Sequence, residues 1–191
     1  LVNEIGVSNF SIIGHSMGAL IAVAFTLRYP EKVDTLIPIN IVFKRTKKAQ
    51  DDVIMRAKNV LKSQQIPNIS QTLGRWFQNK TSPYDLLKIN NVQNWLKNTS
   101  PKAYSEAYYL FAISDRVFVN NLSNLQPPVL YLTGSEDPNS TSLMSEQMAQ
   151  ETPNGSSESI EGEAHMMAYI SAKKVNPIIE YFLNNTYNTI T

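Results

Sequence analysis

The stretch Phe10-Ser11-Ile12-Ile13-Gly14-His15-Ser16-Met17-Gly18-Ala19 decides the fold. An apolar, β-leaning run leads into Gly-x-Ser-x-Gly, and an apolar run from Ala19 to Phe25 leads out of it until Tyr29-Pro30 stops a helix. The pentapeptide alone is a common Ser/Gly turn; its flanks give it chemical meaning. A serine hydroxyl is a poor nucleophile unless it is held exposed beside a base and beside donors for a developing oxyanion. A sharp strand-to-helix turn does this, lifting Ser16 above a sheet and aiming the backbone N–H of Met17 at a reacting carbonyl. Ile12 and Ile13 suit a strand buried on both faces. Gly14 and Gly18 are expected where a Cβ would collide with backbone. The helix that starts near Met17 adds its positive end to the same spot.

A nucleophile of this kind needs a base, and the chain has two histidines. His15 sits inside the turn, which points it away from Ser16 to pack or hydrogen-bond beside the site. His165 lies in Glu161-Gly162-Glu163-Ala164-His165-Met166-Met167, after a short strand-like segment and before the closing helix. His165 is the expected base. In this strand–turn–helix arrangement the acid falls between serine and histidine in the chain. Val129 to Gly134 reads as a buried strand, followed by the turn Ser135-Glu136-Asp137-Pro138-Asn139-Ser140. Catalytic groups of parallel sheets collect at that carboxyl edge. Asp137, short and fixed by Pro138, is preferred over its neighbour Glu136. Its role would be to hold the His165 tautomer and stabilise the imidazolium.

With three separated motifs in this order, the chain resembles the α/β-hydrolase superfamily along essentially its whole length. Arg75-Trp76-Phe77, the run from Lys102-Ala103-Tyr104 to Asp115-Arg116, and Asp137-Pro138-Asn139-Ser140-Thr141 are similar to the 3-oxoadipate enol-lactonase-like branch. The resemblance implies an α/β fold with a parallel sheet flanked by helices and a helical cap insertion. It implies hydrolysis of a carboxylic ester or lactone through an acyl-enzyme, with no cofactor. It also implies about four strands ahead of the nucleophile turn and a His-Gly-type loop that gives a second oxyanion donor. The opening Leu1 to Val7 reads instead as the end of the helix before the nucleophile strand. The sequence is therefore expected to be the carboxyl-terminal part of a longer protein, with amino-terminal strands and that donor upstream.

Three stretches are expected: residues 1–42 as hydrolase core with the nucleophile turn, 43–125 as a helical cap, and 126–191 as core with the acid and the histidine. In the middle stretch Tyr104, Ala107, Tyr108 and Phe111 follow helical spacing and should line one face. Trp76, Trp95, Tyr104, Tyr108, Phe111 and Met166 are candidate pocket walls, with Trp76, Tyr108 and Met166 put forward as substrate-binding. An aromatic-lined cap suggests a small, partly apolar acyl substrate.

Composition sets outer limits. Of 191 residues, 42% are hydrophobic and 17% charged, which suits a packed core rather than disorder. A net charge of +1 gives no field that would attract nucleic acid or an anionic membrane. The absence of cysteine excludes disulfides and thiol catalysis and fits a reducing, cytoplasmic setting. The apolar run at Ala19 to Phe25 is far shorter than the roughly 18 residues of a spanning helix. The basic run Lys44-Arg45-Thr46-Lys47-Lys48 reads as a solvated cap edge. No metal-ligand spacing, phosphate loop or dinucleotide fingerprint is present. The expected partner is a small-molecule ester or lactone. Two alternatives share the same features: a C–C bond hydrolase of ring-cleavage products, and a non-catalytic ligand receptor on the same fold.

Overall fold

The computed structural model describes the chain apart from residues 1, 3, 67, 115 and 191 and the side chains of residues 187–190. Four strands form one parallel sheet in the order β1 (Phe10–His15), β2 (Val33–Ile39), β3 (Val129–Gly134) and β4 (Gly155–Ile160). Parallel neighbours require crossovers, and helices supply them. These are α1 (Met17–Arg28) between β1 and β2, four helices between β2 and β3, and α6 (Ser142–Glu151) between β3 and β4.

Every residue of β3 is buried. On one face Ala19, Leu20, Ala22 and Val23 of α1 and Met148 of α6 pack against Leu36, Val129 and Tyr131. On the other face Ile37, Ile39, Leu130 and Leu132 meet α7 (Met167–Ile170) and α8 (Ala172–Ile190). A strand covered on both sides has no polar face to show, which explains its unbroken apolar reading. Ile13 departs from that expectation. It is 47% exposed, because among the described residues β1 pairs only with β2 and lies at the sheet edge. Residues 4–6 form a turn rather than a helix end, with Gly6 at φ +70; Leu1 and Asn3 lie outside the described residues.

The four inserted helices are α2 (Lys47–Ser63), α3 (Ile69–Phe77), α4 (Pro83–Asn98) and α5 (Pro101–Ser114). Their starts are written locally. Thr46 and Asn68 accept the N–H of Ala49 and Gln71, and Ser82 with Asp85 makes a reciprocal capping box ahead of Pro83. Helices α2 and α5 pack through Val53, Ala57 and Ala112. Leu73, Phe77 and Val92 seat α3 and α4 on Ile170 of α7. The insert therefore rests on the segment that follows β4.

Candidate active site

The turn after β1 holds Ser16 at φ 56, ψ −117, a backbone conformation that non-glycine residues rarely adopt. The Ser16 N–H donates to the Ile39 carbonyl at 2.9 Å, tying the turn to the end of β2. Ser16 precedes α1 but makes no side-chain cap bond, so its hydroxyl is left for other partners. A Cβ on Gly14 would stand 2.3 Å from the Gly18 carbonyl oxygen, so position 14 must be glycine. The expectation for Gly18 itself is corrected: a Cβ there meets nothing within 4 Å. The close approach involves the Gly18 carbonyl, not its α-carbon.

The three side chains expected in a relay lie in one hydrogen-bonded line. The Ser16 hydroxyl donates to His165 Nε2 at 3.0 Å, and His165 Nδ1–H donates to Asp137 Oδ2 at 2.7 Å. His165 is 5% exposed and Asp137 2%. Asp137 also accepts from Asn40 Nδ2 at 2.8 Å, from the Ser140 hydroxyl at 2.5 Å and from the Asn139 N–H at 2.9 Å. Burial opposes its charge, but the hydrogen bond and charge of His165, with Ser140 and Asn139, outweigh it and hold the carboxyl below its usual range. Glu136, its rival, is exposed.

His15 turns away from the serine. Its Nε2–H donates to the His165 backbone carbonyl at 2.7 Å, and the two rings lie 5.1 Å apart. Burial first, and then the charge of His165, pull the His15 pKa down to about 4.

The loops after β3 and β4 are knitted together. The Glu136 N–H donates to the Glu163 carbonyl at 2.8 Å, and the Gly162 N–H donates to the Ser135 hydroxyl at 2.9 Å. A Cβ on Gly134 would stand 2.2 Å from that Glu163 carbonyl oxygen. This contact brings Asp137 and His165 within reach, although 28 residues separate them.

Ser16 and His165 open into a cavity of about 640 Å³ between the sheet's carboxyl edge and the insert. Met17, Trp76, Tyr104, Ala107, Tyr108 and Phe111 line it, so the helical face predicted for 104–111 does point there. Trp76 lies 5.8 Å from the His165 ring. Two candidates are corrected. Met166 does not line the cavity; its side chain packs in the seam with Leu73, Phe77 and Val92. Trp95 is 57% exposed and stands against Tyr169.

The cavity is also less apolar than expected. Arg45, Arg56 and Arg75 line it, and among the described residues its lining includes no aspartate or glutamate. Arg45 is buried with its guanidinium 4.5 Å from the Phe111 ring centre, and the Arg75 Nε is buried without a hydrogen-bond partner. Arg45 corrects the reading of residues 44–48 as a solvated edge, since it is buried; Arg56 and Arg75 went unweighed because the three are spread over 31 positions and converge only through helix packing. Sequence reading also missed Asn40, whose signal was a lone polar residue interrupting the apolar run Leu36 to Phe43.

The described residues include no group of three or more His, Cys, Asp or Glu side chains that could hold a metal ion. None of the described helices is long and apolar enough to cross a membrane. The family described as alpha/beta hydrolase fold matches residues 1–171. An Acinetobacter baylyi protein named (E)-2-((N-methylformamido)methylene)succinate hydrolase is 35% identical over 185 residues, covering 97% of this chain and 69% of that protein. A thermophilic esterase from Thermogutta terrifontis superposes with a TM-score of 0.83 at 20% identity, over 97% of this chain and 68% of its own. The enol-lactonase from Burkholderia xenovorans does so with 0.75 at 16% identity, over 96% and 68%. The chain belongs to the α/β-hydrolase fold family.

Proposed function

We propose that this hydrolase cleaves a small carboxylic ester or lactone that carries a free carboxylate, through an acyl-enzyme on Ser16. The observation that carries the reading is the unbroken Asp137–His165–Ser16 relay at the floor of the cavity. Ser16 Oγ attacks the carbonyl carbon while its proton passes to His165 Nε2. The imidazolium so formed is stabilised by Asp137, which stays ionised. The carbonyl oxygen, now an oxyanion, takes the N–H of Met17, one of the N–H groups at the start of α1 that lack an intrahelical partner. When the tetrahedral intermediate collapses, the alkoxide leaves with the proton from His165. Water then gives a proton to His165 and attacks the acyl carbon; as the bond to Ser16 Oγ breaks, His165 returns that proton to Oγ, and the acid leaves.

Helices α2 to α5 act as the cap. Trp76 and Tyr108 shape its apolar wall, and the arginines select the charge of the substrate. The Arg75 guanidinium, its buried Nε without a hydrogen-bond partner, offers a substrate carboxylate a charged donor in the cavity wall. The substrate named for the Acinetobacter relative, a succinate, agrees with that choice.

A second reading follows from the same relative. Its named substrate carries a formamido group rather than an ester, and on this reading the bond cut by this chain belongs to an N-formylated unsaturated acid. Side-by-side turnover of p-nitrophenyl esters and of that methylene succinate separates the two. The central test is Ser16→Ala, with mass spectrometry of the acylated protein. Loss of both turnover and the Ser16 adduct is expected, and full turnover by the variant overturns the proposal.

A further inference from the structure

Glu163 is fully buried, two positions before the histidine, and its carboxylate joins three separate parts of the fold. Lys80, just beyond α3 in the insert, reaches Oε2 at 2.8 Å; Lys174 of α8 reaches Oε1 at 2.7 Å; and the Ser171 hydroxyl donates to Oε2 at 2.6 Å. Burial opposes the charge, but Lys174, Lys80 and Ser171 outweigh it and hold the carboxyl below its usual range.

The Glu163 backbone belongs to the contact that sets Asp137 against His165, since its carbonyl accepts the Glu136 N–H. A second link runs beside the first. The Met166 N–H donates to the Trp76 carbonyl at 3.1 Å, and Trp76 covers the His165 ring. The histidine loop is thus clamped to α3 and the residues just after it on both sides of His165, through Lys80–Glu163 before it and Met166–Trp76 after it. A purely structural ion pair would not need to lie on the loop that carries the base, or to draw its cation from the insert that roofs the cavity. Two of the Glu163 partners differ in exposure. The Lys80 side chain is 19% exposed, whereas that of Lys174 is 56% exposed, so solvent weakens the second pair far more.

We propose that Glu163 is a positioning residue: through Lys80 it couples the seating of helix α3 over the cavity to the alignment of His165 on Ser16. This rests on the reading of His165 as the base. When the clamp is open, the imidazole loses its register with the hydroxyl, and a displacement of about 1 Å is enough to cost on the order of a hundredfold in rate.

The test uses the full chain with Glu163→Gln, Lys80→Met, Lys174→Met and the double variant Lys80→Met/Glu163→Gln. Readouts are kcat and KM on p-nitrophenyl acetate, melting temperature, and the far-downfield proton resonance of the His165 Nδ1–H bond to Asp137. Lys80→Met is expected to lower kcat about tenfold or more, with KM changed less than twofold and the resonance shifted or broadened. Lys174→Met should cost less than twofold. The double variant, which leaves no unpaired buried charge, should fold even if Glu163→Gln does not, and should repeat the kcat loss without adding to it. Folded Lys80→Met and double variants with wild-type kcat and an unmoved resonance overturn the coupling, whatever happens to melting temperature. Turnover that survives Ser16→Ala would overturn the functional reading instead, and the resonance would still report on the clamp.

Discussion

The His15 Nε2–H donates to the backbone carbonyl of His165 at 2.7 Å, so the residue just before Ser16 holds the loop that carries His165. Two distant loops are thereby indexed to each other through one imidazole. His15 also makes the site sensitive to acid, because burial and the neighbouring His165 outweigh that backbone bond and keep the His15 pKa near 4.

The first prediction concerns acid stability. Between pH 6.5, the ordinary histidine value, and about 4, an unfolded chain binds a proton at residue 15 that the folded chain refuses. Stability therefore falls as pH drops through that window, by roughly 3 kcal/mol if the shift is fully realised. Below pH 4 the loss continues, because Asp137 and Glu163 have lowered pKa values and favour the fold only while ionised. In His15→Gln, melting temperature should vary much less between pH 6.5 and 4.5 than in the parent; equal slopes would refute the assignment.

The relay sets a graded series. Ser16→Ala and His165→Ala should each lower kcat by on the order of 10⁶, by analogy with other serine hydrolases. Asp137→Asn should cost about 10⁴, since the base remains while its tautomer is no longer held. Glu136→Gln, at an exposed position, should stay within twofold. A crippled Glu136→Gln beside an active Asp137→Asn would exchange the two roles.

Two glycines of the nucleophile motif should behave in opposite ways. Gly14→Ala drives a Cβ into the Gly18 carbonyl and should prevent folding or depress melting temperature severely. Gly18→Ala meets open space within α1 and should add up to about 1 kcal/mol of stability by helix propensity. Paired thermal melts decide it, and a strongly destabilised Gly18→Ala would contradict the geometry.

Substrate charge gives a fourth test. The parent should prefer p-nitrophenyl hemisuccinate to the neutral p-nitrophenyl butyrate in kcat/KM. Arg75→Met should erase most of that preference, a change of roughly 1.5–3 kcal/mol for a charge-assisted hydrogen bond. An unchanged ratio would mean that the arginines do not read the substrate.

Most of the sheet and its crossovers could be read in the sequence, because strand–turn–helix order is local. Val129 to Gly134 carries its burial in its own composition, and Ile12-Ile13-Gly14 through Ala19 carries its strand–turn–helix order. That Ser16, Asp137 and His165 would meet was legible too, since chain order and residue chemistry left few candidates for one hydrogen-bonded line. Packing between distant helices was not legible. Met166 and Trp95 satisfied composition but face the seam and the solvent, while Arg75 sat unweighed beside Trp76. Glu163 looked like one more loop carboxylate until Lys80 was brought to it. Ile13 misled because a strand's apolar residues do not reveal whether the strand is central or at an edge.

The backbone at Ser16, with φ 56 and ψ −117, sets evolvability against function. Glycine occupies that region without penalty, whereas any residue with a Cβ stores strain on the order of 1–3 kcal/mol. Screening this protein for heat resistance alone would therefore favour glycine at 16, and under the proposed mechanism would enrich inert molecules that outlast the parent. A selection that preserves the serine has to reward turnover in the same round.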